Sequence, residues 1–107
     1  MNNISLELNK RKNGLVGGIG CGKSTIVQLM MRFYDPDEGR ILLDGQDLRS
    51  LDLSWLRSQI GYLNSSPDLF NATLLDNILV GRADASEEDV RDALKKAELL
   101  DFVESQR

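Results

Sequence analysis

Residues 17–25 read Gly17-Gly18-Ile19-Gly20-Cys21-Gly22-Lys23-Ser24-Thr25, and from Gly17 to Ser24 they hold the pattern G-x-x-x-x-G-K-[ST]. Glycines at these places let the backbone curl until successive N–H groups point inward at phosphate oxygens. The helix that follows offers its positive dipole end to the same anion. Lysine adds a mobile point charge. The stretch reads as a nucleotide-phosphate site, with a flexible glycine-rich turn as the bland alternative.

The pattern carries this meaning when it sits between a strand and a helix. On the helix side, Ile26, Leu29, Met30 and Phe33 fall at i, i+3, i+4 and i+7, so one apolar stripe starts at the loop, and Asp35-Pro36 is expected to end it. On the strand side only Leu15 and Val16 precede the loop. Lys10-Arg11-Lys12-Asn13-Gly14 stands where a buried parallel strand would carry a longer Val/Ile/Leu run.

Composition narrows the functional classes. The chain has 107 residues, enough for one small domain or part of a larger one. No apolar run approaches the ~20 residues that cross a bilayer, and the basic cluster at Lys10–Lys12 has no secretory apolar core after it. We therefore expect a cytosolic or cytosol-facing location. The net charge of −4 argues against nucleic acid as a partner, and the short basic cluster reads as a solvated turn. The chain contains no histidine, so no histidine-based acid, base, triad or metal site operates in it. Its one cysteine, Cys21, lies inside the phosphate loop and reads as a small filler side chain.

Elsewhere the pattern is mixed. Residues 4–8 alternate apolar and polar as a half-buried strand would. Residues 40–43 form a second expected strand, Asp44-Gly45 a hairpin turn, and residues 60–63 a core strand. Residues 51–56 read as a short helical turn with Asp52 as its cap. Residues 73–79 read as a helix closed by Gly81, and Ser86 caps another whose Val90, Ala93, Leu94 and Ala97 form an apolar stripe. Strands and helices around a phosphate loop indicate an α/β layer fold. Asp44 follows an apolar strand as a Mg²⁺-holding Asp does in many phosphate-loop enzymes, but Gly45 after it fits a turn. Trp55 and Tyr62 are offered as core or interface residues before base-stacking ones.

With these residues in place the chain resembles the nucleotide-binding domain of ATP-binding cassette exporters of the multidrug-resistance type, the P-glycoprotein or B subfamily. The blocks that carry the resemblance are GGIGCGKSTIVQLMMRFYDPDEGRILLDGQDL, WLRSQIGYL, PDLFNATLLDNILVG and AELLDFVESQ, in the family's order. The resemblance implies a phosphate-loop NTPase fold of the ABC-transporter ATPase type. Residues 1–107 would cover part of one domain, from the phosphate loop (Walker A) to the region after the glutamine loop. The LSGGQ signature, the Walker B strand ending in Asp-Glu, and the switch histidine would lie beyond Arg107.

The resemblance further implies ATP and Mg²⁺ as ligands, held by Gly17, Gly18, Gly20, Cys21, Gly22, Lys23, Ser24 and Thr25, with the Ser24 hydroxyl on the metal. A second nucleotide-binding domain and transmembrane domains would be the partners, on the cytosolic side of a membrane. Two departures stand out. Ser65 occupies the family's glutamine position with a side chain too short to reach the metal, and no aromatic before Phe33 supplies the adenine platform. Weak nucleotide binding without hydrolysis by this chain alone is the expectation. A non-catalytic interaction module or degenerate fragment, and a self-contained phosphate-loop NTPase or kinase, are the alternatives.

Overall fold

Gly22 opens the first regular element: it takes a left-handed conformation that a Cβ disfavours, and helix α1 runs from Lys23 to Met30 behind it. The computed structural model describes residues 3–106, so residues 1, 2 and 107 of the expected domain lie outside the described residues. The chain divides into two units, one ending at Gly61 and the other beginning at Tyr62.

In the first unit α1 stops at Met30, ahead of the expected Asp35-Pro36 boundary. The Phe33 N–H donates to Gln28 O at 3.0 Å and the Arg32 N–H to Leu29 O at 3.1 Å, while Arg32 takes φ 52°. This is a Schellman termination with arginine where glycine is usual. Phe33 therefore lies past the helix, and it is exposed.

The chain then turns back through a hairpin, β1 at Leu42–Leu43 against β2 at Gln46–Asp47, antiparallel with Leu42 opposite Asp47. Asp44 and Gly45 both have positive φ, 48° and 83°, the conformation that lets a two-residue turn match strand twist. This supports the turn reading of Asp44. Asp47 caps a 3-10 turn at Leu48–Ser50, and Asp52 caps α2 at Leu53–Ser58 by accepting from the Trp55 N–H at 2.8 Å. Among the described residues Met31, Leu48 and Leu56 are the buried hydrophobic ones, Leu56 fully so.

Three expected strands are absent. Residues 4–8, Leu15-Val16 and residues 60–63 form no ladder, and the sole sheet among the described residues is the hairpin. The physical reason is that a parallel strand is held by neighbours on its edges and helices on its faces. Without ladder partners Ile4, Leu6, Val16 and Leu63 remain exposed.

The second unit is helical: α3 at Leu74–Leu79, α4 at Glu87–Lys96 and α5 at Leu100–Ser105, with α4 packed on both others. Thr73 and Ser86 each close a capping box, with Asp76 and Asp89 as the reciprocal partners. In α4, Glu87, Glu88 and Asp89 fill the first turn and Lys95 and Lys96 the last, matching both ends of the dipole. The expected buried stripe is shallower than the pattern suggests. Val90 and Leu94 are half-buried, whereas Ala93 and Ala97 are exposed, because the unit's helices are too few to cover the face.

Candidate nucleotide-phosphate site

Glycine dictates the shape of the loop. Gly20 and Gly22 both adopt left-handed conformations, φ 77° and 99°, and the Cys21 N–H folds back to Gly18 O at 3.4 Å. The Gly22 carbonyl accepts from the Ile26 N–H at 3.2 Å, so the first helical turn begins directly at the loop. This end of α1 differs from those of α3 and α4: no side chain caps it and no acid lies in its first turn. Its N–H groups and dipole lack a side-chain counter-charge, which is the condition a helix N-terminus needs to hold an anion.

Lys23 supplies the positive charge. Its ammonium lies across the loop, donating to Gly17 O at 2.6 Å and Gly18 O at 2.7 Å, with Cys21 Sγ at 3.4 Å. A Cβ at Gly17 would meet that sulfur at 2.5 Å, so the position has no room for a side chain unless the thiol turns away. An open concavity of about 170 Å³ is lined by Gly20, Cys21, Gly22, Lys23, Ser24 and Thr25. Gly17 and Gly18 join the site through their carbonyls on Lys23. No carboxylate lines it, so no negative side chain opposes an anion there.

Ser24 and Thr25 are exposed at the mouth. Ser65 stands exposed in the loop that opens the second unit. Among the described residues no group of three or more His, Cys, Asp or Glu side chains could hold a metal ion. Trp55 and Tyr62, expected in a core or interface, are each exposed by 40% or more. The basic stretch is a turn, tied by Asn13 Nδ2 donating to Asn9 O and Arg11 O at 2.9 and 2.7 Å.

Two side chains that sequence reasoning passed over organise their neighbourhoods. Arg57 reaches from α2 to the end of α1, donating to Met31 O at 3.2 Å and Arg32 O at 3.1 Å and lying 5.5 Å from the centre of the Phe33 ring. Asn77 pins the loop before α3: its Oδ1 accepts from the Phe70 N–H at 2.8 Å, and its Nδ2 donates to Phe70 O and Thr73 O at 3.1 and 2.9 Å. Helical and strand periodicities do not report either pairing. Arg57 and its acceptors are 25 and 26 positions apart.

This geometry coincides with a family match over the whole sequence. The ABC transporter family model matches residues 1–107, and the chain belongs to that family. ABC transporter B family member 1 of Arabidopsis thaliana is 46% identical over 104 residues, which are 96% of this chain and 8% of that protein. The mitochondrial iron-sulfur clusters transporter ATM1 of Kluyveromyces lactis is 46% identical over 93 residues, 87% of this chain and 13% of that protein. A solved bacterial Atm1-family ABC exporter with ATP bound is similar at TM-score 0.76 and 46% identity, over 80% of this chain and 15% of that one.

The chain thus spans 8% to 15% of the length of these relatives. Its likeness is to B-family exporters, and its fold is the phosphate-loop NTPase fold of the ABC type.

Proposed function

We propose that residues 17–25 bind ATP with Mg²⁺ as part of an ABC exporter ATPase domain. The observation that carries this reading is the uncapped start of α1 behind two left-handed glycines, with the Lys23 ammonium held at the same loop. Main-chain N–H groups from Gly18 through Gly20, Cys21 and Gly22 to Ser24 would take the β-phosphate. Lys23 would exchange the carbonyls of Gly17 and Gly18 for β- and γ-oxygens, the Ser24 hydroxyl would ligate Mg²⁺, and Thr25 would lie on the α-phosphate side. The ATP-bound exporter of similar fold supports the same ligand.

The 107-residue chain by itself binds nucleotide weakly and does not hydrolyse it. No aromatic precedes Phe33 to stack adenine, Ser65 is too short for the glutamine's task, and no histidine is present. Positioned water and added charge stabilisation, which phosphoryl transfer needs, find no residues here. In a transporter, the partners would be transmembrane domains and a second nucleotide-binding domain. The chain would sit at the cytosolic face of the membrane, consistent with the absence, among the described residues, of a helix long and apolar enough to cross one.

Calorimetric titration of the full chain with ATP, ADP and AMP in Mg²⁺ tests the site. Affinity should fall as phosphates are lost, and GTP should match ATP because no recognised group reads the base edge. Equal affinity for ATP and AMP would contradict a phosphate-centred site. Sustained phosphate release above background would contradict the non-hydrolytic part.

A further inference from the structure

The two ends of α1 are served unequally. At its N-terminus no side chain caps the helix, and within its own last turn no basic residue faces the C-terminal carbonyls. The C-terminal end is instead gripped from α2. Arg57 donates to the carbonyls of Met31 and Arg32 and stacks against Phe33, so one guanidinium holds three consecutive residues of the Schellman termination.

That termination needs holding. Arg32 occupies the left-handed position with φ 52°, where a residue bearing a Cβ is strained and glycine is not. Its own side chain is tied down as well, by Asp35 at 3.0 Å and by Leu48 O at 3.5 Å. Arg57 is anchored in turn, since its chain neighbour Leu56 is fully buried and Met31 and Leu48 are the other buried hydrophobic residues of the unit.

We propose that Arg57 is a positioning residue for the phosphate site: by locking the strained end of α1 it fixes the helix that presents Lys23, Ser24 and the first-turn N–H groups. The inference rests on the nucleotide reading above. An eight-residue helix has about two turns, so unwinding at one end reaches the other easily. A cation at the C-terminal carbonyls also favours the helical state that offers its positive end to an anion.

The test uses the full chain and two readouts, ATP affinity with Mg²⁺ by calorimetry and amide exchange across Lys23–Met30 without nucleotide. Arg57→Ala should weaken ATP binding about three- to tenfold and raise exchange in α1. Arg57→Lys, which keeps the charge but not the fork, should recover part of the affinity. Arg32→Gly placed on Arg57→Ala should recover more, because glycine takes φ near 52° without a clamp. Rescue by a substitution at the strained residue is what a general packing role for Arg57 would not give. ATP affinity unchanged in Arg57→Ala, or no recovery from Arg32→Gly in a double variant that folds, would overturn the proposal while leaving ATP binding by the wild type intact. No ATP binding by the wild type would overturn the nucleotide reading, and the positioning role with it.

Discussion

Asp47 shows how much one carboxylate does in so small a unit. It caps the 3-10 turn by accepting from the Arg49 N–H at 2.9 Å, and the Arg49 guanidinium adds bonds of 3.1 and 2.8 Å. The Arg49 side chain first, and then its main-chain N–H, lower the Asp47 pKa from 3.8 to about 2. A group whose pKa is depressed by folding contributes stability that is fully present above its unfolded value and is lost as pH falls through the folded one. The contribution should therefore disappear between about pH 4 and pH 2. Asp47→Asn isolates the charge, since asparagine caps a turn as well as aspartate does. Thermal unfolding should give a lower midpoint for Asp47→Asn than for the wild type at pH 6, with the two converging near pH 2. A gap as wide at pH 2 as at pH 6 would show that the carboxylate's charge is not the cause.

At the element scale α3 and α4 owe their starts to side-chain caps. Ser86 and Asp89 are three apart and answer each other's main chain, Ser86 Oγ accepting from the Asp89 N–H at 3.1 Å and Asp89 Oδ2 from the Ser86 N–H at 3.0 Å. Arg82 also pairs with Asp89. Ser86→Ala should cost α4 about 0.5–2 kcal/mol, seen as faster amide exchange over Glu87–Lys96. Unchanged exchange would mean that packing on α3 and α5 holds the helix without its cap. Caps at Asp52 and Ser86 were legible because a cap is a local event, decided within four residues. The Asp44-Gly45 turn was legible for the same reason. The ends of α1 and α4 were not. Both finish in Schellman motifs with Arg32 and Glu98 in the left-handed position, where the sequence offers no glycine to announce them.

Across the whole molecule the same division holds between local and distant causes. The tight turns of residues 17–25 could be read directly, because they are a backbone device written in closely spaced glycines, and the ABC transporter family match covers them. The expected strands could not be settled from their own residues. A ladder depends on partners, and residues 4–8, Leu15-Val16 and 60–63 pair with none among the described residues. Large apolar side chains stay exposed in both units as a result, including Val16, Ile19, Leu63, Leu69 and Phe70. Each would contribute about 1.5–3 kcal/mol if buried, a large share of the ~5–15 kcal/mol that stabilises an ordinary domain.

The central claim is that Lys23 and the loop it lies across form a site for the phosphates of ATP. Calorimetric titration of ATP with Mg²⁺ into the wild type and Lys23→Ala measures it most directly. Weak binding is expected for the wild type, and binding about tenfold or more weaker for Lys23→Ala, because a charge-assisted contact to phosphate is worth about 1.5–3 kcal/mol. Equal affinity in the two proteins, both folded, would contradict it.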